Sequence, residues 1–425
     1  MIPKRICAGL LCSALMLLFL PSSANAQTIV GNCFFQNGPS GANNVIIMPG
    51  STSLIPVVQF LGAKLVKMSN PYLLVYFPMA SCDAMGRVNG TQYLSGTGQY
   101  YKENPTDPTK IDTFSCTIDG SVPIDLAVGD TFYETCDASY ARAPSLGDFQ
   151  GPEQAFVFIT PRNSLNASTI TAAEAQVVFG CGPRGQVAPY LDDNFIFTYK
   201  NGQDVRFGAQ LIVGKAINLG YFQDNGSSVS HSHTSDQDEA AAVASSTSSP
   251  PDETIGFISA EVYDQLRDQL KALAFRDFRQ TLAYLPDSNS NSRDKRNLRD
   301  GHYTIQAPMH MWVSLNTDGS FVRPLARKMV DWMQGNQVAP ADQLPFSIND
   351  VYAQAGVVPK CAMKVMRTVD GGPFAPFVSE KPPCGCVFES TATGVAVPPG
   401  CIKCTDNSGC NKGQMCSYGF CELAW

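Results

Sequence analysis

The amino-acid sequence predicts an α/β fold followed by a small C-terminal disulfide-rich module. Short strand-like apolar runs alternate with helix-like segments, a pattern typical of strands and helices packed in layers. Polar side chains directly follow several of the predicted strands. Eight cysteines fall within the last 65 of the 425 residues, where no strand or helix period is visible.

The first 26 residues have the features of a secretory signal peptide. Lys4 and Arg5 precede an uncharged apolar run over residues 6–20, and small residues, Ala24 and Ala26, occupy the two positions that a signal peptidase reads. The run is too short to cross a bilayer comfortably. We therefore expect a periplasmic or secreted protein with no membrane span in its mature chain.

The charge balance excludes some classes of partner. The chain has 30 Lys+Arg against 37 Asp+Glu, a net charge of −7, and only 16% charged residues against about 25% in an average globular protein. Nucleic acids and anionic membranes are bound through basic patches, so we expect neither as a partner. Small anions remain possible, because backbone N–H groups at a helix start bind them without cationic side chains.

The first strand and helix carry the strongest candidate site. Residues 45–48 predict a short buried strand and residues 54–61 an apolar helix. Pro56 places the helix start, because proline lacks an N–H and is tolerated only in the first turn. The cap then falls near Thr52 or Ser53, and ordinary capping is an alternative explanation of these hydroxyls. The candidate ligand-binding residues here are Ser51, Thr52 and Ser53.

Two further predicted strands also end in polar residues. Residues 72–77 precede a loop containing Ser81, and residues 124–128 precede Asp130. Open α/β sheets bind ligands beyond the carboxyl ends of their strands, so Ser81 and Asp130 join the candidate site. A carboxylate there can accept a hydrogen bond from a protonated oxyanion or a sugar hydroxyl. Taken alone, Ser81 with its neighbour Cys82 is explained by capping or by a disulfide, and Asp130 is explained as an ordinary turn residue.

A second group of elements begins near Gly151. Residues 154–160 predict a strand, and Thr171 and Glu174 have the spacing of a capping box at the start of the next helix. Residues 194–199 predict another strand, followed by two candidate ligand-binding amides, Asn201 and Gln203.

The last α/β elements precede the Cys-rich segment. Ser259 is expected to cap a helix, residues 309–313 predict a strand, and residues 324–333 predict a further helix. The helix after Ser259 is expected to place four apolar side chains on one face: Val262, Leu266, Leu270 and Leu273.

The cysteines indicate disulfides rather than a metal site. A zinc site needs paired Cys-x2-Cys motifs, and in the tail only Cys401 and Cys404 form one. An export signal makes disulfides the expected state of such a segment. Fifteen cysteines, two of them in the signal peptide, leave thirteen, so at least one thiol is free or bonded to another molecule. His231 and His233 are too few for a metal, and we expect neither metal nor cofactor.

In their order along the chain, these motifs resemble the phosphate-binding proteins that serve phosphate ABC importers. Gly50-Ser51-Thr52 before an apolar helix resembles the opening motif of that family, and the Ser81 loop resembles its second loop. Val128-Gly129-Asp130 is similar to its Gly-Ala-Ser-Asp segment, and Gly256-Phe257-Ile258 to its Gly-Ala-Ile-Gly-Tyr strand. The resemblance covers roughly residues 28–340 as scattered short motifs.

The resemblance implies a bilobal type II periplasmic-binding-protein fold, in which two α/β lobes joined by two crossovers clamp the ligand in a cleft. It also implies that Ser51, Thr52, Ser81 and Asp130 face this cleft. The implied divisions are a signal peptide (1–26), lobe 1 (27–145 plus 301–356), lobe 2 (146–300) and a disulfide module (357–425).

Two departures from the family pattern widen the range of ligands that we expect. Where the family has an Arg and a Ser-Gly-Thr turn in contact with the anion, this sequence has Lys200-Asn201-Gly202-Gln203. Ser81 is followed by Cys82 and Asp83 rather than by glycine. The expected ligand is therefore a small phosphate-like oxyanion or another polar solute.

These features predict an exported solute-binding protein and not an enzyme. The sequence has no nucleophile elbow, no catalytic set with family spacing and no Walker-type loop. The expected partners are the solute and an ABC permease. The alternative is a secreted or surface interaction protein that reuses the fold and docks onto a surface protein through its Cys-rich tail.

Overall fold

The computed structural model describes residues 29–34, 44–89, 93–107, 109–136, 143–181, 187–189, 197–200, 230–233, 235–247 and 251–423. Its strands are β1 (Ile29–Asn32), β2 (Asn44–Ser51), β3 (Tyr72–Met79), β4 (Tyr93–Glu103), β5 (Ile111–Pro123), β6 (Ala127–Gly129), β7 (Leu146–Pro161), β8 (Thr169–Thr171), β9 (Phe197–Lys200), β10 (Ser230–His233), β11 (Gly256–Ser259), β12 (Leu270–Ala272), β13 (Ala274–Arg276), β14 (Gln306–Ser314), β15 (Val365–Met366), β16 (Ala375–Pro376), β17 (Gln414–Ser417) and β18 (Phe420–Leu423).

The α-helices are α1 (Ile55–Leu65), α2 (Ser81–Asn89), α3 (Tyr133–Cys136), α4 (Ala172–Cys181), α5 (Asp236–Ala244), α6 (Ala260–Gln265), α7 (Arg296–Arg299), α8 (Pro324–Met333), α9 (Ile348–Ala355) and α10 (Gly385–Thr393). The predicted α/β class is confirmed. Within the described residues, no helix is both long and apolar enough to cross a membrane.

A ten-stranded mixed sheet organises the chain. Its strands lie in the order β1-β5-β4-β3-β2-β6-β14-β7-β11, with β12 also paired to β7. At its centre, β2 runs parallel to both β3 and β6. The buried, almost wholly apolar sequences of β2 and β3 are typical of parallel strands covered on both faces. Since parallel strands end at the same edge, the residues after these three strands meet there.

The helix after β2 begins later than the sequence suggests. A 3₁₀ turn, Thr52–Leu54, comes first, and α1 then starts with Leu54 as its N-cap and Pro56 in its first turn. No side chain caps either segment by a hydrogen bond. The expected cap at Thr52 or Ser53 is therefore wrong, because the Ser53 hydroxyl bonds to a distant carboxylate instead.

Two hydrophobic cores form on this frame. The first core covers both faces of the sheet around β2 and β3, with α1, α8 and α9 on one side and α2 on the other. The second core surrounds the carboxyl-terminal half of β7, together with β11 and helices α4 to α6. In the described part of the chain, the segments that pass between the cores include β7, β14 and the stretch at residues 355–358. The predicted domain boundaries stay a prediction.

The strand β7 makes the longest of these crossings. Its residues 146–155 pair with β14, and residues 156–161 pair with β11 and β12. One continuous strand therefore belongs to both cores, so the sheet is not interrupted where the cores meet.

The helix predicted after Ser259 is much shorter than expected. It ends at Gln265, and residues 270–272 form β12 on the edge of β7. Leu270 and Leu273 are buried in the second core, but not on this helix. The apolar spacing that suggested a long helix arises from a short helix and a strand that face the same core.

The capping box at the start of α4 is present. The Thr171 N–H donates to Glu174 Oε2 at 2.7 Å, and the Glu174 N–H donates to Thr171 Oγ1 at 3.1 Å. We expect Thr171→Ala to lower the free energy of unfolding by about 1 kcal/mol, because one N–H of the first turn loses its acceptor. Urea denaturation measures this. The control is Thr169→Ala, which changes an exposed threonine two residues earlier. An equal loss of unfolding free energy in both variants would contradict the prediction.

Disulfides cross-link the C-terminal segment, as predicted. All cysteines beyond residue 26 except Cys181 pair in six bridges: Cys33–Cys116, Cys82–Cys136, Cys361–Cys384, Cys386–Cys401, Cys404–Cys416 and Cys410–Cys421. Cys181 ends α4, and its side chain lies outside the described residues. The sulfurs of Cys404, Cys410 and Cys421 lie close together, but disulfide bonding makes them unavailable as metal ligands.

This segment is attached to the second core. Cys384 and Phe388 are 0% and 2% exposed and belong to that core, and α10 contacts α9. The segment therefore contributes to the packed interior before it continues into the small hairpin β17–β18.

Candidate functional site

Three serine hydroxyls converge on one buried carboxylate at the edge where the parallel strands end. Ser51 Oγ donates to Asp130 Oδ2 at 2.9 Å, and Ser81 Oγ donates to Asp130 Oδ1 at 2.5 Å. Ser53 Oγ also donates to Asp130 Oδ2. All four side chains are at most 1% exposed. We call Ser51, Ser53, Ser81 and Asp130 the serine–aspartate cluster.

The backbone around the cluster is too close-packed for side chains at two glycines. A Cβ on Gly129 would lie 2.3 Å from the Trp312 ring and 2.9 Å from Ser81 Cβ. A Cβ on Gly50 would lie 2.4 Å from Val128 Cγ2. Glycine at the ends of β2 and β6 therefore lets the strands approach closely enough for the three hydroxyls to reach one carboxylate.

The remaining predicted site residues are placed differently. Thr52 is 7% exposed, and its Oγ1 has no hydrogen-bond partner in the described part of the chain. Asn201 and Gln203 lie outside the described residues. The structure thus brings together four of the seven predicted residues, and their role as ligand contacts stays a prediction.

A buried histidine that the sequence analysis missed lies next to the cluster. His310 is opposite Gly129 in the pairing of β14 with β6, and its ring packs 4.6 Å from that of Phe132. Its Nδ1 is 2.8 Å from Asp148 Oδ1, and its Nε2 has no partner among the described residues. The signal in the sequence is one ionisable residue inside the otherwise apolar run at residues 309–313.

A carboxylate from the C-terminal segment also reaches this region. Asp370 is 7% exposed and accepts hydrogen bonds from the Phe132 N–H, at 2.8 Å, and from the Thr135 hydroxyl. Burial raises the pKa of the Asp370 carboxyl to about 6, its two hydrogen bonds oppose this shift, and the nearby Asp130 adds to it. No feature of the local sequence indicated that a residue so far along the chain would lie here.

Polar side chains also occupy the place where the chain crosses between the cores. Glu153, Gln154 and Gln306 are all 0% exposed. Burial raises the pKa of Glu153 to about 8, although the charges of Arg367 and Lys360 act to lower it. Neither Glu153 carboxyl oxygen has a hydrogen-bond partner within the described ranges. Such groups are costly to bury, which sets this region apart from an ordinary core.

One glutamine links the two sides of this region. Gln154 Nε2 lies 3.3 Å from the Ser53 carbonyl oxygen and 3.1 Å from Glu261 Oε2 at the start of α6. Burial also raises the pKa of Glu261. The serine–aspartate cluster is therefore connected, through Gln154, to the first turn of a helix in the second core.

The charges of the region constrain what it can bind. Four buried carboxyl groups, those of Asp130, Glu153, Glu261 and Asp370, lie on or between the described elements of this region, and Arg367 is the buried cation that faces Glu153 and Asp370. An acceptor-rich environment favours a solute that brings its own hydrogen-bond donors. It disfavours a multiply charged anion without protons, because like charges close together repel strongly in a poorly solvated site.

The sequence matches no family model and no curated protein. Among solved structures, the chain is similar to a putative phosphate ABC transporter substrate-binding protein with bound phosphate from Clostridium perfringens, at 11% identity, 74% coverage of this chain, 99% of that chain and a TM-score of 0.48. It is also similar to an ABC-type phosphate transport receptor from Vibrio cholerae, at 11% identity, 74% and 99% coverage and a TM-score of 0.44.

A third similar structure is a possible phosphate-binding protein from Planctomyces limnophilus, at 11% identity, 75% and 93% coverage and a TM-score of 0.42. At these identities and TM-scores, the ligands of the neighbours do not transfer to this chain. By its own fold and site, the chain belongs to the class of two-core α/β proteins with a buried polar region where the cores meet.

Proposed function

We propose that this protein is an exported solute-binding protein that holds a small polar solute at the serine–aspartate cluster, between its two cores. The single observation that carries the proposal is the convergence of three hydroxyls on the Asp130 carboxylate: those of Ser51 and Ser53 lie at and just after the end of β2, and that of Ser81 follows β3. Hydroxyls both donate and accept, and a carboxylate accepts, so together they can recognise a solute with both kinds of group.

The chemistry of the region narrows the solute class. The Asp130 carboxylate can accept a hydrogen bond from a protonated oxyanion while the serine hydroxyls turn to donate to the unprotonated oxygens. The surrounding carboxyl groups make an oxyanion without a proton a poor ligand. A singly protonated, phosphate-like oxyanion therefore fits better than sulfate, and a neutral polyhydroxyl solute is compatible with the same donors and acceptors.

We further propose that the protein binds its solute without converting it chemically, and that the protein itself is exported. The six disulfides indicate an oxidising compartment, and we propose that the protein is periplasmic or secreted. In the periplasm, an ABC permease would receive the solute. A second candidate, a docking role for the disulfide-rich segment, is favoured by its exposed apolar side chains, which include Val395, Val397 and Ile402.

A thermal-shift titration with phosphate, sulfate, a sugar and an amino acid tests the solute-binding proposal. At one hundred times the dissociation constant, we expect phosphate to stabilise the folded protein by about 2.7 kcal/mol, and sulfate to have little effect. Asp130→Asn keeps the size of the side chain and should abolish the stabilisation. Asp268→Asn, a change at an exposed aspartate, is the matched control and should leave it unchanged.

Two results would contradict the proposal. One is the absence of stabilisation by every compound, which would favour the docking role instead. The other is equal stabilisation of the wild type and Asp130→Asn, which would move the binding site away from the serine–aspartate cluster.

A further inference from the structure

One loop of the C-terminal segment reaches into the region between the cores. Residues 367–374 connect β15 to β16, and the loop buries Arg367 and Asp370, which are 5% and 7% exposed. Val369, between them, is 45% exposed. The loop thus turns its charged side chains inward and an apolar one outward, the reverse of what an ordinary surface loop does.

The Asp370 carboxylate occupies hydrogen-bond donors that belong to the first core. Its Oδ2 accepts from the Phe132 N–H and from the Thr135 hydroxyl, 238 and 235 residues away in the sequence. Phe132 is two residues after Asp130, and the charge of Asp130 raises the pKa of Asp370. Its Oδ1 has no partner among the described residues. The loop carboxylate therefore lies beside the serine–aspartate cluster.

The Arg367 side chain holds the same loop where the chain passes from one core to the other. Its Nη2 donates to the Thr304 carbonyl oxygen at 2.9 Å, and its guanidinium carbon is 4.1 Å from the centroid of the Phe374 ring. Burial lowers the pKa of Arg367, and the negative charges of Glu153 and Asp370 oppose that shift. Arg367 therefore supplies the positive charge beside two carboxyl groups that would otherwise repel each other.

A disulfide holds the base of this loop. Cys361 and Cys384, separated by 23 residues, are bonded on either side of the β15–β16 hairpin, and Cys384 is buried in the second core. Phe132 and Thr135 lie on the side of the first core, where α3 is bonded to α2 through Cys82–Cys136. The loop is thus anchored covalently on the second core and bonded non-covalently to the first.

We propose that the loop is an internal occupant of the region between the two cores: the Asp370 carboxylate holds donors beside the serine–aspartate cluster and competes there with the solute. This inference rests on the proposed function and adds its regulation. A competitor tethered in the same molecule acts at a high effective concentration, on the order of millimolar for short flexible tethers. The apparent affinity for solute is then reduced by the fraction of molecules whose loop is displaced.

Isothermal titration of inorganic phosphate into four proteins tests this role: the wild type, Asp370→Ala, Asp370→Ala with Asp130→Asn, and the control Asp268→Ala. We expect Asp370→Ala to bind phosphate at least tenfold more tightly than the wild type. The control should bind as the wild type does, and the double variant should not bind. Asp370→Asn retains the side-chain volume, and replaces Asp370→Ala if that variant does not fold.

The outcomes distinguish a failure of the proposed loop role from a failure of the proposed solute-binding function. Equal phosphate affinity of Asp370→Ala and the wild type, with binding lost in the double variant, would overturn the occupant role and leave the proposed function intact. Weaker binding by Asp370→Ala would make Asp370 a ligand contact and would also overturn the occupant role. No binding of phosphate to any variant would overturn both for this oxyanion.

Discussion

Asp130→Ala is expected to lower the free energy of unfolding by about 3 kcal/mol at neutral pH. The side chain accepts hydrogen bonds from Ser51, Ser53 and Ser81, and all four residues are at most 1% exposed. Removing the carboxylate leaves these hydroxyls without their acceptor in a place that water reaches poorly. Ser51 and Ser53 can still bond to each other, since their oxygens are 2.7 Å apart, so the loss is smaller than three separate hydrogen bonds would give.

Urea denaturation of Asp130→Ala measures this loss, with Asp268→Ala as the control for removing an exposed carboxylate. A loss below about 1 kcal/mol, the size of one ordinary hydrogen bond, would show that the hydroxyls find other partners and that Asp130 does not organise the cluster. Asp130→Asn should fall between the wild type and Asp130→Ala, because the amide retains one acceptor oxygen.

Glu153→Gln is expected to make the protein more stable than the wild type at alkaline pH and to flatten the dependence of its stability on pH. Burial raises the pKa of Glu153 from about 4.5 in an unfolded chain to about 8 in the folded protein. The folded state therefore favours the neutral carboxyl group. The contribution of Glu153 to the free energy of unfolding is most favourable below about pH 4.5. It becomes less favourable as the pH rises to about 8, and it does not change further above that pH.

The size of this effect is bounded by the pKa shift. A shift from about 4.5 to about 8 corresponds to about 4 to 5 kcal/mol as an upper limit. Glutamine has a similar shape and no charge to bury. At pH 5, the free energy of unfolding of Glu153→Gln should therefore lie within about 1 kcal/mol of the wild-type value. At pH 8.5, it should exceed the wild-type value by about 3 kcal/mol or more.

Urea denaturation at pH 5, 6.5 and 8.5 checks the pH dependence. Asp370, whose pKa is raised to about 6, is present in both proteins and leaves a residual slope between about pH 4 and 6 in each. Glu134→Gln, a change at an exposed glutamate, is the matched control and should keep the wild-type slope. The same slope in Glu153→Gln and the wild type would show that Glu153 is not the buried acid responsible.

The positions of the strands and of the serine–aspartate cluster follow from local sequence signals. Continuous apolar runs predict β2 and β3, and a parallel arrangement places the residues that follow them at one edge. That reasoning reaches Ser51, Ser81 and Asp130, because each lies within a few residues of a strand end. The α8 helix was also predicted with its observed bounds, since an apolar face and an initial proline define it.

Other features depend on tertiary contacts that leave no local signal. Asp370 lies in a segment without a periodic pattern, and its partners are more than 230 residues earlier in the chain. Glu153 and Gln154 lie in the middle of β7, where their burial depends on the crossing of the chain between the two cores. The prediction of a long helix after Ser259 was wrong, because a short helix and a strand that face the same core have the same apolar spacing.

The placement of the disulfides determines how oxidation affects the molecule. Two of the six bridges lie beside the first core, and four lie in the C-terminal segment on the second; none joins one core to the other in the described part of the chain. Oxidation therefore restricts the unfolded chain separately within each of these two regions, because each bridge closes a loop there. The two cores are therefore joined by non-covalent contacts, such as the hydrogen bonds of Asp370, and by chain segments that run from one core to the other, such as β7.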